Sequence, residues 1–326
     1  MKILIIRFSS IGDIVLTSPV MRCIKKQFPE IEIHYLTKKQ FEPLIADNPN
    51  IDKCFYLKEK ESTTISELKK ENYDQVIDLH NNLRTFKFRT ALRTQAFTLN
   101  KLNFEKWAKV TFKWDSLPDV HIVDRYMEVV KHLGVVNDNL GLDFFIHPDN
   151  EVELEELPQR FQSGFHAVVI GATYFTKRIP TGKLIAVCKE SQLPVVIIGG
   201  KGEFDMGEEI KSTLGEKAFN ACGKLNLQQS ASVIRQATNV LTGDTGMMHI
   251  AAAFNKKVIS LWGNTIPEFG MYPYIPQKPE NVVIIENKEL SCRPCSKLGY
   301  HKCPKKHFKC MQDLDEKMIA QKLNEV

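Results

Sequence analysis

Two α/β domains, each built on a parallel, doubly wound sheet, are what this sequence predicts, on three observations. A chain of 326 residues, 43% of them hydrophobic, is too long for one ordinary core and suits two domains of roughly 150 residues each. Short apolar runs alternate with helix-spaced apolar residues from Lys2 to Leu79. The same alternation returns from His166 to Leu261 with no sequence repeat behind it. Strands that alternate with helices pair in parallel and are covered on both faces, and two such domains imply a cleft.

The elements follow in order. Lys2 to Arg7 is a strand, Ser9-Ser10-Ile11-Gly12-Asp13 a tight loop, and Ile14, Val15, Ser18, Met21 and Ile24 carry the spacing of a helix. Strands are then expected at Ile31–Leu36, Ile51–Leu57 and Gln75–Leu79, with helices at Lys39–Ala46 and Ile65–Lys70. From Leu83 to Leu133 the pattern is more helical, but Trp107, Phe112 and Trp114 fit no period. The stretch from His147 to Gly164 is acidic and loop-like, which sets the expected domains at residues 1–155 and 156–326.

In the second half strands are expected at His166–Ile170, Val195–Ile198, Asn239–Leu241 and Val258–Leu261. Helices are expected at Gly182–Glu190, Glu203–Leu214, Leu227–Arg235 and Thr245–Phe254. A cysteine-rich segment, 290–311, precedes an amphipathic helix at Asp313–Asn324, expected to pack back on the first domain.

The charge balance, 44 basic against 39 acidic residues for a net +5, is too mild to argue for nucleic acid and suits an acidic substrate such as a phosphorylated sugar or lipid head group. Arg7 breaks the apolar run at Ile3–Ile6, so the start of the chain reads as neither signal peptide nor membrane span. The expected location is the cytoplasm, with peripheral contact at the membrane face. The eight cysteines then read as reduced thiols or metal ligands.

Open parallel sheets bind ligands at the carboxyl ends of their strands, where helix N-termini offer N–H groups and positive partial charge. The segment Thr242-Gly243-Asp244-Thr245-Gly246-Met247-Met248-His249 follows a strand and opens a helix. Gly243 and Gly246 allow close backbone approach, and Thr245 offers a hydroxyl. Asp244 reads as an N-cap or as an acceptor for sugar hydroxyls, and His249 as a packed histidine or a member of the site. Lys177 and Arg178 are either solvated or placed to neutralise a departing diphosphate; Thr173 lies in the same loop. Gly200 and Glu203 follow the neighbouring strand, with Glu203 a candidate ribose partner. In the first half, Asp13 is either a capping carboxylate or a base for an attacking hydroxyl. Ser10, Gly12, Asn82 and Arg84 are candidates for holding an anionic acceptor.

Four stretches, taken together, give the chain a resemblance to the heptosyltransferases of glycosyltransferase family 9. They are Arg7-Phe8-Ser9-Ser10-Ile11-Gly12-Asp13-Ile14 with Thr17-Ser18-Pro19; Val76 to Arg84; Lys177-Arg178-Ile179-Pro180; and Gly243 to Ala253 with Trp262-Gly263-Asn264-Thr265-Ile266-Pro267. The resemblance implies two Rossmann-like domains facing a cleft, the GT-B arrangement. It implies inverting, metal-independent transfer of heptose from an ADP-sugar to a lipid-linked or phosphorylated saccharide of the lipopolysaccharide inner core. Asp13 takes the role of base, Lys177 that of the diphosphate-binding lysine, and Asp244, Thr245, Gly246 and His249 match the donor loop. Lys257 stands where the family usually has proline, and Ile179 where it has an aromatic residue, which bears on subfamily and acceptor rather than on the reaction.

Cys292, Cys295, Cys303 and Cys310 have a spacing compatible with a structural zinc site, although no cofactor is expected for catalysis. Rival readings are another nucleotide sugar as donor, a nicotinamide-dependent oxidoreductase, disfavoured because no Gly-x-Gly-x-x-Gly follows the first strand, and a nucleic-acid module built on Lys305-Lys306-His307, which the mild charge does not support.

Overall fold

The computed structural model describes residues 1–325 and divides into two compact units. The first comprises Met1–Leu102 and Val120–Phe145, the second Asn103–Asp119 and Ile146–Val326. The expected boundary after residue 155 therefore lies inside the second unit, which also takes up a segment from the middle of the first half.

In chain order the first half reads β1 (Lys2–Ile6), α1 (Ile11–Val15), α2 (Ser18–Gln27), β2 (Glu32–Lys38), β3 (Lys53–Leu57), α3 (Glu61–Lys69), β4 (Gln75–Asp78), α4 (Leu83–Leu92), β5 (Gln95–Thr98), α5 (Asn103–Phe112) and α6 (Ile122–Val130). The five strands pair in parallel in the order β3-β2-β1-β4-β5. Ile3, Leu4, Ile5 and Ile6 are all fully buried, as a central strand covered on both faces requires. Leu4, Ile6, Phe8, Leu36, Val76 and Phe88 gather into one core cluster. Where a helix is expected at Lys39–Ala46, the chain makes only a 3₁₀ stretch, Lys39–Leu44, with Pro43 inside it; proline lacks the N–H that an α-helix would need there.

The second half continues with β6 (His166–Val169), α7 (Thr181–Glu190), β7 (Val195–Ile198), α8 (Phe204–Leu214), β8 (Ala218–Asn220), α9 (Leu227–Gln236), β9 (Asn239–Gly243), α10 (Gly246–Ala253), β10 (Lys257–Trp262), β11 (Val282–Glu286), α11 (Lys309–Gln312) and α12 (Glu316–Asn324). Its six strands are also parallel, in the order β11-β10-β9-β6-β7-β8.

The last helix corrects an expectation, because it stays with its own unit. Ile319, Ala320 and Leu323 join the core cluster of the second sheet. Asn239 donates its side-chain amide to Leu323 O at 2.7 Å and to Glu325 O at 2.9 Å, and Lys183 Nζ reaches Leu314 O at 2.6 Å. Burying Ile319 and Leu323 contributes roughly 3–6 kcal/mol together. Among the described residues no helix is long and apolar enough to cross a membrane.

Candidate functional site

In each sheet the strand order reverses at one point, and there two adjacent strands send their C-terminal loops apart. In the first unit these strands are β1 and β4; in the second they are β6 and β9. Each pair of loops carries a cation bonded to a carboxylate.

In the first unit, Arg7 follows β1 and is only 7% exposed. Its Nη1 donates to Leu79 O, just past β4, at 2.5 Å, its Nε to Ser9 O at 2.9 Å, and its Nη2 pairs with Asp13. Burial opposes the charge on Arg7, but the fields of Asp13 and of other neighbouring groups outweigh it and raise its proton affinity. Asp13 is the third residue of α1. Its Oδ2 accepts from Ser10 N at 3.0 Å and from Ser10 Oγ at 2.7 Å, a capping box. The capping role is therefore present, and the carboxylate is still about one-fifth exposed. Gly12 is buried within α1, and Ser10 is exposed at its N-cap.

The β4 loop is shaped by Asp78, which is fully buried and accepts from His80 N at 3.0 Å and Asn81 N at 2.7 Å while Arg89 lies 3.3 Å away. That turn brings His80 against Phe8, ring centroids 5.3 Å apart. Burial, then the charges of Arg7 and Lys101, push the His80 imidazole down to about 4, so it is neutral at pH 7. Asn82 and Arg84 are engaged within the first unit. Asn82 accepts from Thr85 N at 2.9 Å as the N-cap of α4, and Arg84 pairs with Glu61 at 2.9 Å on the surface.

In the second unit, Lys177 Nζ lies 2.7 Å from Asp244 Oδ2, joining the β6 loop to the β9 loop. Thr265 Oγ1, past the end of β10, donates to the same carboxylate at 2.7 Å. The glycines explain how the loops close. A Cβ on Gly243 would collide with the Lys177 carbonyl oxygen, and one on Gly263 would lie 2.8 Å from Thr176 O. Gly243 thus admits the Thr176–Lys177 backbone, where the sequence had suggested room for a ligand. The N-cap of α10 is Thr245, not Asp244, and its hydroxyl lies 3.1 Å from Thr242 Oγ1 instead of capping the helix. Gly246 opens α10, and His249 is buried in it at 2% exposure.

Glu203 is held within its own loops. Its Oε1 meets Arg178 at 3.1 Å and its Oε2 accepts from Gly200 N at 3.0 Å, so Arg178 serves this contact. Thr173 and Gly200 are exposed beside them.

The segment from Arg293 to Tyr300 straps the site together, and the sequence reading missed it. Arg293, 8% exposed, donates to Gly263 O at 2.5 Å, to Thr265 O at 3.0 Å and to Glu286 at 2.8 Å. Cys295 N donates to Asn264 O at 3.1 Å, while Tyr300 N donates to Thr176 Oγ1 at 2.8 Å and Thr176 N to Tyr300 O at 3.1 Å. One strand of chain thereby fixes the loops that supply Lys177 and Thr265. Asn264 is 1% exposed, yet neither atom of its side-chain amide has a hydrogen-bond partner among the described residues. In the sequence the stretch Trp262 to Pro267 and the cysteine-rich segment 290–311 stand out separately, and nothing there joins them to one site or singles out Arg293.

The four clustered cysteines do not form a tetrahedral donor set. Cys295 Sγ donates to Cys292 O at 3.0 Å, and Cys310 is buried in the core cluster. Burial, with Cys292 beside it, pushes the Cys295 thiol up to about 11, and burial takes Cys310 to about 12. Among the described residues the one group of three metal-capable side chains with ligand atoms within 4.8 Å is Glu32, His34 and Glu71. Lys2 already lies 3.2 Å from Glu32 and 3.1 Å from Glu71, and Lys53 lies 2.5 Å from Glu71, so two ammonium groups face those two carboxylates, at the opposite end of the sheet from Asp13.

The model of glycosyltransferase family 9 (heptosyltransferase) matches residues 63–303. The chain belongs to this family. It is 26% identical to lipooligosaccharide heptosyltransferase 2 of Haemophilus influenzae over 364 aligned positions, covering 100% of this chain and 99% of the relative. The lipopolysaccharide heptosyltransferase 1 of Campylobacter coli is 25% identical, with 81% and 84% covered. Among solved structures, E. coli ADP-heptose lps heptosyltransferase II superposes with a TM-score of 0.76 at 18% identity, covering 99% of this chain and 98% of the other. E. coli heptosyltransferase WaaC with ADP gives 0.65 at 19%, with 87% and 92% covered. The family 9 chain is a glycosyltransferase, and both its units are Rossmann-like.

Proposed function

We propose that this family 9 enzyme transfers heptose from ADP-heptose, with inversion, to a lipid-borne inner-core saccharide at the cytoplasmic membrane face. The observation that carries the reading is the Lys177–Asp244 pair at the switch point of the second sheet, beside the N-terminus of α10. An ammonium and a helix N-terminus at one spot suit a diphosphate. The relatives' names supply heptose and ADP as the donor's parts.

On binding, the diphosphate competes with Asp244 for Lys177. Asp244 keeps the Thr265 hydroxyl and becomes an acceptor for sugar hydroxyls. As the glycosidic bond breaks through an oxocarbenium-like state, negative charge grows on the leaving ADP, and Lys177 stabilises it where it develops. The buried amide of Asn264, costly by about 1–3 kcal/mol if left unpaired, is a further group for the donor.

Asp13 is the proposed base. Its carboxylate is held by Arg7 and Ser10 and takes the proton late, when the attacking hydroxyl has become acidic by bonding to the cationic carbon. His80, neutral and beside Phe8, adds no competing cation there. A panel of nucleotide sugars offered with a truncated core-lipid acceptor, followed by nucleoside diphosphate release, tests the assignment. ADP-heptose should be the active donor; turnover confined to another nucleotide sugar would refute it.

A further inference from the structure

Helix α5 is amphipathic the wrong way round for a soluble protein. Phe104, Trp107 and Thr111 share one face by helical spacing, and that face is solvent-exposed: Phe104 at 67% and Trp107 at 50%. Ala108 is fully buried, and the side chain of Lys109 keeps only 17% of its surface. Surface helices ordinarily bury the apolar stripe and expose the charges. Past the helix the apolar face continues. The rings of Phe104, Trp107, Phe112 and Trp114 form a chain with centroids 5.9, 5.2 and 4.9 Å apart, and the last two are 49% and 59% exposed.

This face has a cationic neighbour in the same unit. Both ends of α5 are tied to the cysteine-rich segment: Lys297 Nζ donates to Asn103 Oδ1 at 3.3 Å, and Lys113 Nζ to Pro294 O at 2.7 Å. From Ser291 to Gln312 that segment holds no acidic residue, and Lys297, Lys302, Lys305, Lys306 and Lys309 are all exposed. Leu298, 56% exposed, lies among them.

We propose that this surface of the second unit docks on an anionic lipid bilayer, with the rings at the headgroup boundary and the lysines on lipid phosphates. Aromatic residues favour that boundary, and each lysine near an anionic surface adds roughly fivefold in affinity. Two other occupants fit less well. Single-stranded nucleic acid needs free ring faces for stacking, whereas Phe112 and Trp114 stack on each other; Leu298 offers a base nothing. A second copy of the chain in a two-fold contact would set the lysine run against its own image, which repels. The proposal goes beyond the transfer reading, which gives membrane contact a purpose but not a surface.

Vesicle flotation of the full-length protein tests it without donor or acceptor, so its outcome is separate from that of the transfer assay. Wild type should float with vesicles of phosphatidylcholine mixed with phosphatidylglycerol, less so with phosphatidylcholine alone, and less as salt rises. Trp107→Ser with Trp114→Ser should weaken binding at least about tenfold, and Lys305→Glu with Lys306→Glu more than tenfold; the unfolding temperature should be unchanged for the exposed lysine pair and only slightly lowered for the tryptophan pair, which loses its ring contacts. Absence of flotation, or variants that float like wild type, would overturn the proposal. So would a dimer that the tryptophan pair dissolves while flotation persists, or an oligonucleotide that loses affinity in both variants while vesicles do not.

Discussion

The two switch points hold the same elements in different ways. In the first unit the cation and carboxylate, Arg7 and Asp13, come from one short stretch between the end of β1 and the first turn of α1, and the guanidinium is also bonded to the backbone at Ser9 and Leu79. In the second, Lys177 and Asp244 come from loops after different strands and meet through one ammonium contact. A guanidinium fixed by several bonds orients its partner and stays, whereas an ammonium on a flexible stem can exchange one anion for another. The difference teaches that the first pair is fixed at several points, whereas the second hangs on one contact, and the proposed function uses that freedom to pass Lys177 to a phosphate.

The largest expected effect separates the two. Asp13→Asn should lower turnover ~10²- to 10⁴-fold, the usual worth of a positioned base, while ADP affinity stays that of the wild type by calorimetry. Normal turnover would remove Asp13 from the chemistry. Next, Lys177→Ala should lose roughly ten- to hundredfold in kcat/KM, from a charged hydrogen bond of about 1.5–3 kcal/mol, and here ADP affinity should fall as well. An ADP affinity untouched by Lys177→Ala, or reduced equally by Asp13→Asn, would break the contrast.

The smallest effect probes the floor under the second pair. Gly243→Ala places a methyl against the Lys177 carbonyl and should destabilise the second unit by about 1–3 kcal/mol in urea unfolding, as overpacking does. Because the Thr176–Lys177 backbone must shift, ADP binding should weaken in step; a fully stable variant with weaker ADP binding would mean that the glycine serves the ligand directly.

Much of the fold was legible because its signals are local. The run Lys2–Ile6 followed by Ser-Ser-Ile-Gly-Asp reads as strand, loop and helix start, and β7 has the bounds that Val195–Ile198 suggests. Edge strands were harder. β5 is only four residues with exposed ends, and β8 only three, so neither carries a pattern long enough to read. β11 has an apolar run, Val282–Ile285, that went unread. Trp107, Phe112 and Trp114 fit no period because the period assumes that apolar residues face inward, and these do not.

By itself the sequence determined two parallel, doubly wound sheets and the loops that carry Asp13, Lys177 and Asp244, since alternating apolar runs, glycines and caps act within a few residues. Only the tertiary structure decided what those residues touch. It paired Lys177 with Asp244 from the loops after two strands that are neighbours only in the folded sheet, brought in Thr265, and set Arg293 beneath them. It also kept the last helix on the second sheet and carried α5 into the second unit. Such contacts join residues far apart in the chain, and their energies depend on burial that no local pattern encodes.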